Sequence, residues 1–264
     1  MSLTNSRLQK LERINEKKLI SNFDDFEKAL LIDLYRIIRR MESSSDKYFV
    51  EKEDDITTEI IGRLFEAGWT NTEEQTKVGG GSVDLYIEYN GFKWICEAKR
   101  NYGNLNLFEG LLQLTTRYAK NQEKVGFFIY HQKNALLSSI ASFHDFLTSK
   151  KWGNKKGYEE FLDDIEACFS QVIIPKEFSN DKSHYTIEVK KLCGSPLKIR
   201  VFWADFSFNP LDKSGRESKS IQIKNARLNL MTAFFEYEKN PSSGTEQFVP
   251  LLQKYFRFEE ESNS

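Results

Sequence analysis

The sequence predicts an α/β chain: a mixed central sheet covered by helices, with helices before it and an α+β extension after it. Three observations carry that expectation. Residues 53–130 change pattern in the order α-β-β-β-α-β. Two alternating strands flank Asn90-Gly91, a strong signal for a two-residue type I′ hairpin. Beyond them Val125-Gly126-Phe127-Phe128-Ile129-Tyr130 is continuously apolar, as suits a strand buried on both faces.

The 264 residues are 39% hydrophobic and 14% aromatic, enough for a substantial phenylalanine-rich core and too apolar for wholesale disorder. A net charge of -1 gives no global support for a nucleic-acid ligand, so any such ligand must be held by local patches. Cys96, Cys168 and Cys193 form no CxxC pair and no disulfide framework, which points to a reducing compartment and away from thiolate-bound zinc. With no apolar leader and no span-length stretch, the expectation is a cytoplasmic protein without membrane association.

In order, residues 4–42 read as helices, through Leu8, Leu11 and Ile14 and then Phe26, Leu30, Leu34, Ile37 and Met41, with Asn22 or Asp24 as N-cap of the second. Arg36, Arg39 and Arg40 close it, as the helix dipole favours. Ser43–Asp46 is a loop and the expected boundary, giving regions 1–46, 47–149 and 150–264. A helix from Glu53 to Ala67 stops at Gly68, with Ile56, Ile60, Ile61, Leu64 and Phe65 inward. A strand over Thr70–Val78 and a glycine turn lead into the hairpin. Helices near Leu107–Asn121 and Ala135–Leu147 enclose the apolar strand. Further on are a helix at Tyr158–Phe169, a short strand at Val172–Ile174 and a second hairpin across Cys193-Gly194-Ser195-Pro196. A polar loop at Asn209–Ser220 precedes two final helices.

The hairpin register carries the chemistry. A type I′ turn at Asn90-Gly91 places Asp84 directly opposite Glu97, with Lys99 on the same face. Val83, Leu85, Ile87, Trp94, Cys96 and Ala98 then share the other face, a division that a one-residue slip would destroy. Two carboxylates facing each other at roughly 5 Å between Cβ atoms repel. A divalent cation would offset that repulsion, and hard oxygen ligands suit magnesium, with manganese as a substitute. The alternative without an ion is a salt-bridged Asp-Glu-Lys triad.

Asp84, twelve intervening residues and then Glu97-Ala98-Lys99 resembles the signature of the PD-(D/E)XK nuclease superfamily, and the surrounding element order is similar to its restriction-endonuclease-like core. The resemblance covers about residues 50–145; Ser82-Val83 stands where the family usually has proline before the aspartate. It implies a magnesium-dependent endonuclease acting on DNA, with Asp84, Glu97 and the Ala98 carbonyl as metal ligands and Lys99 orienting water or stabilising the transition state. It also implies a carboxylate from the preceding helix. Glu53 lies in the inward arc at about 100° per residue whereas Glu59 does not, although Glu53 in a first turn equally complements the helix dipole. Families of this fold carry Gln-x-x-x-Tyr on the following helix; here Gln113 has Arg117 at i+4 and Tyr118 at i+5. Gln113 is thus a candidate for ordering the site. Lys99, Arg100, Arg117 and Lys120 are candidate phosphate contacts.

The implied setting is bacterial restriction or anti-phage defence, by fold-level analogy. Cutting both strands favours a homodimer or higher oligomer, and a protein partner or activator fits the long flanking regions. The rival reading is a non-catalytic, nuclease-like module for nucleic-acid binding or assembly. His131, His144 and His184 have no ligand spacing.

Overall fold

The computed structural model describes residues 17–78, 81–154, 157–174, 183–239 and 245–263. The proposed helix through Leu8, Leu11 and Ile14, and Gly79-Gly80, lie outside them. The architecture is α/β: one six-stranded mixed sheet flanked by helices. In chain order the elements are α1 (Phe23–Glu42), α2 (Glu53–Glu66), β1 (Asn71–Val78), β2 (Gly81–Tyr89), β3 (Phe92–Arg100), α3 (Asn104–Gln113), β4 (Lys124–His131), α4 (Leu136–Thr148), α5 (Leu162–Phe169), β5 (His184–Lys190), β6 (Pro196–Asp205), α6 (Lys213–Glu217), α7 (Lys219–Lys239) and α8 (Thr245–Asn263).

The strand order is β1-β2-β3-β4-β6-β5. β1, β2 and β3 meander antiparallel, β3, β4 and β6 run parallel, and β5 returns antiparallel at the far edge. The central parallel strands are covered on both faces, which is why β4 reads as an unbroken apolar run. The second expected hairpin is present as β5–β6, and both its strands belong to the same sheet as the first.

Two cores sandwich the sheet. α1 and α2 cover one face, packing Leu30, Leu34, Ile60 and Leu64 on Leu85, Trp94, Phe128 and Phe202. α3, α4 and α5 cover the other, packing Phe108, Phe143 and Phe169 among Phe127, Val201 and Trp203. α1 is a well-capped helix: the Asn22 side chain accepts the Asp25 amide, Asp24 and Asp25 sit in its first turn, and Arg39 and Arg40 in its last. Asn90 and Gly91 both adopt positive φ (51° and 81°), the conformation a type I′ turn requires.

Some local expectations need correction. Phe65 is 60% exposed rather than inward, and Thr57 takes an inward place instead, its hydroxyl 2.9 Å from that of Tyr130. The strand expected at Val172–Ile174 is a single bridge, Ile173 to Glu188. The loop at Asn209–Ser220 contains α6, capped by the Asp212 side chain. Among the described residues, no helix is long and apolar enough to cross a membrane.

Candidate active site

The predicted register holds from Tyr89↔Phe92 back to Leu85↔Cys96, and there the ladder stops. Asp84 and Glu97 are not a ladder pair. Instead the Asp84 carboxylate accepts the Ala98 amide at 2.7 Å, a side chain standing where a main-chain partner would be. β1 lets go at the same level: its pairs with β2 skip Gln75 and Asp84, and Gln75 has φ 51°. Side-chain alternation resets across this gap. Leu85 packs in the α1–α2 core but Val83 in the α3–α5 core, against the single face expected for both. The local break frees Asp84 from ladder geometry and turns its carboxylate toward β3.

Lys99 gathers the acids. Its ammonium lies 2.5 Å from Glu97 Oε1, 3.6 Å from Glu53 Oε1 and 4.0 Å from Asp84 Oδ2. Glu53 arrives from the first turn of α2, whose N-terminus meets the end of β3, and its other oxygen accepts the Arg100 amide at 2.5 Å. Glu59 points elsewhere and pairs with Arg63 at 2.7 Å. Of the two helix-borne candidates, Glu53 is thus the one brought to Lys99.

Glu97 is the most constrained of the three. It is only 2% exposed, and its Oε2 is buried without a hydrogen-bond partner. Burial and the nearby Asp84 charge push its pKa up to about 7, against the pull of Lys99. Burial likewise raises Glu53 and Asp84 from their ordinary values. For Lys99, burial works against the charge, but the Glu97 carboxylate, with Glu53 and Asp84, outweighs it and holds the ammonium above its ordinary pKa. One ammonium therefore serves three carboxylates, and the balance leaves all three short of positive charge.

The donor chemistry fits a hard divalent cation. An oxygen of Glu97 is orphaned, and Asp84 lies close enough to repel it. Among the described residues, no three His, Cys, Asp or Glu side chains form a ready-made cage. That is compatible with magnesium, which commonly keeps its waters and takes one or two carboxylates beside substrate phosphates. At Ala98 the contact recorded is the amide donating to Asp84.

Two glycines make room for the cluster; Gly81, expected in the turn before the hairpin, is instead the first residue of β2. A Cβ on Gly110 of α3 would lie 2.9 Å from Cγ of Lys99 and 2.7 Å from the Phe127 ring. A Cβ on Gly81 would meet Arg117 Nη2 at 2.2 Å and the Tyr118 hydroxyl at 2.8 Å. Gly110 interrupts an apolar helical pattern, a signal that could have marked a close approach.

After Gln113 the helix loosens into a π turn over Leu114–Tyr118, with the Ala119 amide donating to the Leu114 carbonyl at 2.9 Å. In a π turn the backbone bond spans five residues rather than four, which here links Leu114 to Ala119. Burial raises the Tyr118 phenol, and the charges of Glu97 and Asp84 add to it, which brings Tyr118 within electrostatic reach of the cluster. Gln113 has a buried Oε1 without a hydrogen-bond partner.

Of the expected phosphate contacts, Lys99 sits within the acid cluster. Arg100 lies over the Tyr102 ring at 5.2 Å and Arg117 over the Tyr118 ring at 5.1 Å, while Lys120 is exposed. The histidines have packing surroundings: His131 meets Asn101 at 2.9 Å, His144 stands against Tyr185, and His184 lies between Tyr35 and Phe202. No protein-family model matches the chain, and no curated protein or solved structure matches it.

Proposed function

We propose that this chain is a metal-dependent nuclease with a restriction-endonuclease-like core, hydrolysing phosphodiester bonds in DNA. The observation that carries the reading is the convergence of Glu53, Asp84 and Glu97 on Lys99 at the end of β3, with one Glu97 oxygen buried and unpaired. Such a set costs folding energy when uncompensated, and perturbed carboxylates of this kind cluster at functional sites.

Asp84 and Glu97 would hold magnesium, with Glu53 beside them. When bound, the metal lowers the pKa of a coordinated water and offsets charge on the phosphate. Lys99, kept protonated by its three acids, places a fixed positive charge where a phosphoryl oxygen gains negative charge. Burial beneath α3 strengthens that charge by excluding water. Glu53 fixes the Arg100 amide and so the end of β3 that carries Lys99.

A second reading is favoured by one observation: the Lys99–Glu97 contact at 2.5 Å already partners the most buried acid. The cluster would then be an ion network inside a non-catalytic nucleic-acid-binding or assembly module. Incubation with linear, circular and single-stranded DNA, and with RNA, in magnesium or EDTA separates the two. Cleavage in magnesium that disappears in EDTA, in Lys99→Ala and in Asp84→Ala is the expected result. Intact substrates in every lane, with binding that survives EDTA and both substitutions, would establish the module instead.

A further inference from the structure

A cavity of about 700 Å³ opens between α1 and the sheet, bordered by β4, β5 and β6, and its lining combines cations with aromatic rings. It lies on the sheet face opposite Glu97 and Lys99. Cys96 and Ala98 pack in the α1–α2 core, so their neighbours Glu97 and Lys99 project to the other side. On β6, Phe202 packs in the α1–α2 core and Val201 in the α3–α5 core, so Arg200 projects toward α1.

Arg200 is the anomaly. Its guanidinium is partly buried, its Nε is buried without a hydrogen-bond partner, and among the described residues it forms no ion pair. The acid whose field reaches it, Glu27, is already engaged by Lys124 at 2.8 Å, as is Asp24. Arg36 on the rim is only loosely paired. It comes no closer than 4.0 Å to Asp33, which Lys17 holds at 2.6 Å. Four cations (Lys28, Arg36, Lys124 and Arg200) face two carboxylates in the cavity wall, so the lining carries surplus positive charge. A desolvated charge without a partner is a cost that an anionic ligand would offset.

The aromatic wall is held in place from both sides. The Tyr35 ring stands 5.2 Å from His184, and Arg39 lies over it at 5.4 Å while donating to its hydroxyl at 3.3 Å. Tyr35 and its neighbour Ile32 are nonetheless 40% and 44% exposed, an apolar surface on the same cavity wall as Arg36. The cavity's volume falls within the range of about 300–1,000 Å³ typical of small-molecule sites. Asp24 and Glu27 on one wall disfavour a continuous polyanion.

We infer that this cavity binds a small aromatic anion of the nucleotide class, its phosphate on Arg200 and Arg36 and its ring against Tyr35 and Ile32. The site is separate from the candidate active site and does not depend on the nuclease reading.

Titration calorimetry in EDTA tests it, with AMP, ATP, adenosine, inorganic phosphate and a duplex oligonucleotide as probes. A mononucleotide is expected to bind more tightly than adenosine or phosphate alone. Arg200→Met should weaken it on the order of tenfold or more, the scale of one charge-assisted contact. Arg36→Ala, on the exposed face of α1, should also weaken it and guards against a folding defect at β6. Lys99→Ala should leave the affinity unchanged. The proposal is overturned if no mononucleotide binds at millimolar concentration, if both arginine variants bind like the wild type, or if only the duplex binds.

Discussion

The aliphatic stem of Lys99 passes beneath Gly110, so close that a Cβ on Gly110 would lie 2.9 Å from Lys99 Cγ. The residue that gathers the three carboxylates is therefore positioned by a missing side chain on a neighbouring helix. Gly110→Ala must move either Lys99 or the buried Phe127 ring. Overpacking of this kind costs about 1–3 kcal/mol, more than the up to about 1 kcal/mol that alanine adds in helix propensity. The variant is expected to melt below the wild type and to lose nuclease activity out of proportion to that loss. Thermal unfolding and a DNA-cleavage assay on the same preparation check it.

Glu97 makes the stability of the metal-free protein depend on pH. Its folded pKa of about 7 lies above the ordinary 4.5. The folded state thus favours the protonated acid. That contribution is fully present below pH 4.5 and is lost as pH rises through about 7. Its ceiling is on the order of 3 kcal/mol, from 1.36 kcal/mol per unit. Glu97→Gln should flatten the decline between these values, and urea unfolding at pH 5 and pH 8 in EDTA measures it. An unchanged pH slope would remove Glu97 as its source.

Magnesium should reverse that decline. A cation that binds only the folded chain stabilises it by mass action, about 2.7 kcal/mol at a hundredfold excess over Kd. Because the ligand must be ionised, the shift in Tm should be larger at pH 8 than at pH 5.5. Asp84→Asn and Glu97→Gln should each reduce it. Equal shifts in all three proteins would place the metal elsewhere.

Glu53 and Glu59 should separate cleanly. Glu53→Gln removes a carboxylate 3.6 Å from Lys99 Nζ and weakens the bond to the Arg100 amide, so cleavage should fall by on the order of tenfold or more, the scale of one charged hydrogen bond. Glu59→Gln breaks an exposed pair with Arg63, worth at most about 0.5 kcal/mol, and should cleave normally. Initial rates at saturating magnesium distinguish them.

The sequence by itself determined the local geometry of the hairpin. Asn90-Gly91 tolerates positive φ at both positions, and that alone set the register from Tyr89↔Phe92 to Leu85↔Cys96. It also determined the buried β4 strand, since strand periodicity is a local property of the chain, whereas the choices of Asn22 over Asp24 as the α1 cap and of Glu53 over Glu59 beside Lys99 came from the fold. Tertiary structure decided the rest. The ladder ends before Asp84 because that carboxylate takes the Ala98 amide, an exchange between strands that no spacing reveals. Leu114–Tyr118 forms a π segment where the sequence shows an uninterrupted helical run. Gly110 and Gly81 matter only through what approaches them. Arg200 reads as one more polar residue in a strand until α1 closes over it and leaves its Nε without a partner. Periodicity reports which way a side chain faces. What it meets there depends on packing between segments far apart in sequence.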